Sequence, residues 1–109
     1  MAHSKVAVVR GDRGRETVER ALVLLRIERE IPKPVMIKVN FITDKTWETG
    51  ATTDPVVVDA LVKYFKARAE RVFVVESDAT TTNADKAAFK TGILDICRAN
   101  QVEFINLSK

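Results

Sequence analysis

The run VMIKVNF at residues 35–41 decides the fold that we predict for this chain. Its apolar, largely β-branched residues indicate a strand. Side chains alternate along a strand, so the odd-numbered residues share one face, while Met36, Lys38 and Asn40 share the other. A lysine within such a run needs a carboxylate partner or must reach solvent. We therefore expect any functional site at the carboxyl end of this strand.

The pattern around this strand predicts alternating strands and helices. Asp54-Pro55 marks a helix start, because aspartate caps free N–H groups and proline suits the first helical position. Gly92 is expected to end a helix in the left-handed conformation. The predicted strands cover 5–9, 35–41, 71–77 and 102–107, and the predicted helices cover 15–30, 55–69, about 83–91 and 93–100. The order βαβαβαβ predicts an α/β fold, a three-layer sandwich with a parallel four-stranded sheet of flavodoxin-like or Rossmann-like type.

Length and composition indicate one globular domain over residues 1–109. The net charge of +3 is spread along the chain and does not indicate nucleic-acid binding. Cys97 is the single cysteine, so the sequence provides neither an internal disulfide nor a cysteine-rich metal site. We expect a cytoplasmic protein without a signal peptide or a membrane span.

Candidate site residues lie in the loops that follow the predicted strands. The carboxyl ends of parallel strands meet at one edge of a sheet, and ligands bind there. The candidates are Lys38, Asn40, Thr52, Thr53, Ser77 and Asp78. Helix N-termini at this edge favour a small anionic ligand. The alternative interpretation is that these polar residues only cap helices, and that Lys38 pairs with a carboxylate such as Glu76.

The motif IKVNF…ATTDP resembles the K-x-N…A-T-T-x-P signature of the family known as domain of unknown function 362. Lys38, Asn40, Thr52, Thr53 and Pro55 match the signature. The resemblance extends from the KVAVVRG start to the AFKTGILDICRANQVEFINL segment. It implies an α/β fold and a chain that corresponds to the N-terminal region of longer members. Some members are described as iron–sulfur proteins, but their ferredoxin-type cysteines have no counterpart here.

Three functions remain open at this point. The first is a ligand-binding or catalytic half-site at the carboxyl edge, completed by a C-terminal half or a second chain. The second is a structural or interaction domain, in which self-association is one outcome. The third is an accessory part of an iron–sulfur redox protein whose cluster ligands lie outside this chain. The residues name no reaction and no cofactor.

Overall fold

The computed structural model describes residues 3–27 and 29–109. The helices are α1 (Arg15–Leu25), α2 (Pro55–Lys66), α3 (Ala84–Lys90) and α4 (Ile93–Ala99), and the strands are β1 (Val35–Lys38), β2 (Val72–Glu76) and β3 (Glu103–Asn106). The three strands form a parallel sheet in the order β1-β2-β3. A short 3₁₀ turn, Trp47–Thr49, lies in the long loop between β1 and α2.

The core lies on one face of this sheet. Ile37 and Val39 point into it from β1 and its extension, and Val74 points into it from β2. Val58 of α2 and Ile93 of α4 are fully buried against them. Each such side chain contributes roughly 1.5–3 kcal/mol by leaving water. The predicted alternation of the 35–41 run is therefore confirmed.

The opposite face of the sheet is not part of this core. It carries the alternate residues of each strand, namely Met36, Lys38, Phe73, Val75, Glu103 and Ile105. Met36 is 63% exposed.

The described elements thus form two layers, and the expected third layer is absent from them. Strands that are added in one direction by right-handed crossovers place their helices on the same face. The reversal of direction that defines a doubly wound sheet does not occur among the described strands.

The predicted first strand, Lys5–Val9, does not join the sheet. Its residues are described and make no ladder, and Val6 and Val8 are 83% and 84% exposed. The described sheet therefore has three strands where we expected four. β-Branched residues favour an extended backbone, but a strand also requires a neighbour with which to pair.

Helix α1 is shorter than predicted. It ends at Leu25, because Arg26 adopts the left-handed conformation with φ of 53° and donates its N–H to the carbonyl of Val23. The predicted end near Glu30 is wrong, although Glu28 itself lies outside the described residues. Leu22 is the buried residue of this helix, which packs mainly on α2.

The predicted helix starts further along the chain are confirmed, whereas α2 ends at Lys66 and not at the predicted residue 69. Asp54 caps α2 by accepting a hydrogen bond from the Val56 N–H at 2.9 Å, and Asn83 caps α3. Gly92 has φ of 85°, which is the left-handed conformation expected from the sequence. Within the described ranges no helix has both the length and the apolar character that a bilayer crossing requires.

Candidate functional site at the carboxyl edge of the sheet

The loops after β1 and β2 meet at the carboxyl edge of the sheet, as the parallel topology predicts. They touch directly, because the Thr82 hydroxyl donates to the carbonyl oxygen of Ile42 at 3.0 Å. This contact joins residues that are 40 positions apart in the sequence. The edge is therefore the place where side chains from separate loops converge.

Lys38 reaches both solvent and a carboxylate. Its side chain is 65% exposed, and its Nζ lies 3.5 Å from Oε1 of Glu76. Glu76 is only 6% exposed, and its carboxylate also accepts the N–H groups of Phe41 at 3.1 Å and Ser77 at 2.9 Å. The β1–β2 pairing ends before Phe41, so the Phe41 N–H donates to the Glu76 carboxylate in place of a backbone carbonyl of β2. Backbone groups, rather than the lysine alone, satisfy this buried charge.

Asn40, Thr52 and Thr53 hold the first loop closed. The Asn40 side chain donates to the carbonyl of Ala51 at 3.0 Å, and its backbone N–H donates to the Thr53 hydroxyl at 2.8 Å. The Thr52 hydroxyl donates to the carbonyl of Lys45 at 2.9 Å. The structure thus brings these three predicted site residues together, with their polar groups turned towards the loop itself.

Asp78 organises the second loop. Its Oδ1 accepts the Ala84 N–H at 2.7 Å and the side-chain amide of Asn106 at 3.0 Å. Ser77 is exposed beside it. The amide of Asn106 also donates to Asp85 at 3.2 Å. We did not single out Asn106 from the sequence, because an asparagine within a short strand gives no local indication of its partners.

The N-terminus of α2 is occupied by the chain's own charges. Asp54 caps the helix and receives two hydrogen bonds from the Arg13 guanidinium, at 2.7 and 2.8 Å. This pairing with Arg13 lowers the pKa of Asp54 below its ordinary value, against a smaller opposing effect of burial. Arg13 also stacks over the Trp47 ring, 4.0 Å from its centroid. The loop before α1 is thereby attached to the carboxyl edge.

A small polar pocket opens between the two loops. It has a volume of about 220 Å³ and is lined by Ile42, Thr43, Asp44, Thr81, Thr82, Asn83 and Lys86. We call this set of residues the edge pocket. Lys90 pairs with Asp44 at 3.1 Å and lowers the pKa of that carboxyl group. Lys86 forms no ion pair within the described part of the chain.

Neither a metal nor a nucleophile is indicated by the described side chains. No group of three or more His, Cys, Asp or Glu residues is placed to hold a metal among residues 3–27 and 29–109. Cys97 is 1% exposed, and burial raises the pKa of its thiol to about 11. It is a packing residue on α4 within the hydrophobic core.

A protein-family model described as domain of unknown function (DUF362) matches residues 35–109. The chain belongs to this family. The DUF362 match begins at the first residue of β1 and includes the whole sheet, helices α2 to α4 and the edge pocket. Comparisons with curated proteins and with solved structures gave no match.

Proposed function

We propose that this DUF362 domain binds a small anionic group, such as a phosphate or a carboxylate, in the edge pocket. The observation that carries the proposal is the lining of the pocket. Three threonines, Asn83 and Lys86 line the cavity, and the Lys86 ammonium group has no ion-pair partner among the described residues. The Thr82 hydroxyl already donates to the Ile42 carbonyl, which leaves the Thr43 and Thr81 hydroxyls as donors. Hydrogen bonds in which one group is charged are about twice as strong as neutral ones, so Lys86 supplies the main attraction.

The charges around the pocket support an anion over a cation. Asp44 is the one carboxylate in the lining, and Lys90 already neutralises it. The local sum over Asp44, Lys86 and Lys90 is therefore positive by one charge. A volume of about 220 Å³ is small compared with drug-sized sites, which favours a single phosphate or carboxylate group over a whole nucleotide.

The predicted site residues fit this proposal mainly as positioning residues. Asn40, Thr52 and Thr53 hold the first loop, on which Thr43 lies, and Asp78 holds the second. In this proposal the exposed ammonium of Lys38 and the hydroxyl of Ser77 add polar groups at the same edge. They lie outside the pocket lining, so they contribute less than Lys86.

A larger cavity at the opposite edge of the sheet is a weaker candidate. It has a volume of about 310 Å³ near the amino ends of β2 and β3. Its lining mixes the acids Glu70 and Glu103 with the bases Lys66 and Arg71, so it carries no net charge. Ligands of parallel sheets bind at the carboxyl ends of the strands, which favours the edge pocket.

Interaction with another protein is the second candidate function, and the uncovered face of the sheet favours it. An apolar sheet face without a covering layer is unusual for an isolated domain.

We further propose a reducing compartment such as the cytoplasm, which the single buried thiol of Cys97 supports.

The test is an amide chemical-shift titration with inorganic phosphate on the wild-type chain and on Lys86→Met. We expect saturable shifts at residues 42–44 and 81–86 in the wild type. Loss of a charged hydrogen bond predicts a dissociation constant roughly tenfold higher in Lys86→Met. Lys33→Met is the matched control, because it removes an exposed lysine far from this edge. If Lys86→Met bound phosphate as tightly as Lys33→Met, or if the shifts were confined to other residues, the proposal would be overturned.

A further inference from the structure

The uncovered face of the sheet carries a continuous apolar band that crosses the strands obliquely. The parallel register places Met36 beside Phe73, and Val75 beside Ile105. Leu107 continues the band one residue beyond β3, where its N–H donates to the carbonyl of Glu76. We call these five residues the apolar diagonal. Met36 and Leu107, at its two ends, are 63% and 54% exposed, whereas Phe73 and Ile105 are partly buried and Val75, at the centre, is 3% exposed between its neighbours.

Opposite charges flank the apolar diagonal. Lys38 lies on β1 in the same row as Val75 and Ile105, on one side of the diagonal. Glu103 lies on β3 in the same row as Phe73 and Met36, on the other side. Glu103 is exposed and has no ion-pair partner among the residues that the structure describes. The Lys38 ammonium is mostly exposed, with one contact at 3.5 Å.

We propose that this face is a docking surface for a second copy of the same chain, related by a two-fold axis along the apolar diagonal. Rotation about such an axis places apolar side chains on apolar side chains. It also exchanges the two flanks, so that Lys38 of each copy faces Glu103 of the other. Sheets stack about 10 Å apart, a gap that lysine and glutamate side chains span. Because the axis runs obliquely to the strands, those of the two copies cross at a steep angle, as in orthogonally packed sheets.

Charge complementarity selects a second copy over other occupants. A face that carries one sign of charge would favour a nucleic acid or an oppositely charged partner. Here Lys38 and Glu103 carry opposite charges at matching positions on the two sides of the apolar diagonal, which is the arrangement that an isologous interface requires. Arg71 also lies on this face: its guanidinium stacks over Phe73 at 4.8 Å and lines the same cavity as Glu103, so it adds a positive charge near that flank.

The size of the face sets the expected affinity. Three strands of four or five residues present a small patch, below the standard size of specific interfaces and comparable with weak, transient ones. We therefore expect weak, reversible association, with a dissociation constant of roughly 10 μM to 1 mM. Two cross-interface ion pairs make this association weaker as the salt concentration rises.

The test is sedimentation equilibrium over a concentration series at low salt, with a charge-swap set of variants. We expect Lys38→Glu and Glu103→Lys each to raise the dimer dissociation constant about tenfold, because each creates like-charge contacts. The double variant Lys38→Glu/Glu103→Lys restores the ion pairs across the interface and is expected to associate more tightly than either single variant, although it lacks the Lys38 contact with Glu76. Met36→Asp, which buries a charge within the apolar diagonal, is expected to abolish the dimer. Amide spectra check that each variant is folded.

Several outcomes would overturn the proposal. The proposal is wrong if the wild-type chain stays monomeric up to 1 mM. It is also wrong if the double variant associates no better than the single variants. The Met36→Asp chain separates this proposal from anion binding, because Met36 does not line the edge pocket. We expect it to bind phosphate as the wild type does while failing to dimerise.

Discussion

Replacing Glu76 with glutamine tests how the carboxyl edge is held together. The Glu76 carboxylate accepts two backbone N–H groups, from Phe41 at 3.1 Å and Ser77 at 2.9 Å. A glutamine has one acceptor oxygen and one NH₂ group, so it can accept only one of them. The other N–H then faces a donor. The Phe41 N–H is the more costly loss, since Phe41 is 2% exposed.

The expected cost follows from these contacts. A buried donor without an acceptor costs about 1–3 kcal/mol. The Lys38 contact adds less than about 1 kcal/mol, because its side chain is 65% exposed and the Nζ–Oε1 distance is 3.5 Å. We therefore expect Glu76→Gln to lower the free energy of unfolding by about 2–3 kcal/mol. Lys38→Met is expected to lower it by about 1 kcal/mol or less.

Urea unfolding followed by circular dichroism measures both changes, with equal m values as the check on two-state behaviour. Glu70→Gln is the matched control, because Glu70 is an exposed carboxylate just before β2. Its effect is expected within about 0.5 kcal/mol. A Glu76→Gln loss as small as that of Glu70→Gln would refute the reasoning. A Lys38→Met loss larger than that of Glu76→Gln would show that the lysine, and not the backbone, neutralises the buried charge.

Two further predictions concern Asp54 and Cys97. Pairing with Arg13 lowers the folded-state pKa of Asp54, so its contribution is present above the unfolded value of about 3.9 and is lost as pH falls through the folded value. We expect urea unfolding to show a steeper loss of stability from pH 5 to pH 2 in wild type than in Arg13→Ala; parallel profiles would contradict this. Burial raises the pKa of Cys97 to about 11, so we expect a disulfide reagent to leave the native thiol unmodified at pH 8 and to modify it in urea. Stoichiometric labelling of the native chain within minutes would contradict this.

The features that the sequence predicted correctly depend on neighbouring residues. The alternation of residues 35–41, the Asp54-Pro55 helix start and the left-handed Gly92 each follow from local stereochemistry. The contact between Lys38 and Glu76 was also predicted correctly, because parallel strands place their last residues at the same edge of the sheet.

The features that it missed depend on contacts between distant residues. Lys5–Val9 has the composition of a strand but no strand beside it among the described residues. Arg26 ends α1 in a conformation that non-glycine residues adopt rarely, which is why the sequence pattern predicted a later end, at residue 30. The edge pocket exists because Thr82 contacts Ile42, and no local pattern predicts a contact across 40 residues.

The most direct test of anion binding at the carboxyl edge is a crystal structure of the chain with tungstate, a tetrahedral oxyanion that scatters X-rays anomalously. We predict an anomalous peak in the edge pocket, within hydrogen-bonding distance of the Lys86 ammonium and the Thr43 or Thr81 hydroxyl. The same crystals of Lys86→Met should lack it. Peaks only elsewhere on the chain, or an equal peak in the Lys86→Met crystals, would contradict the proposed site.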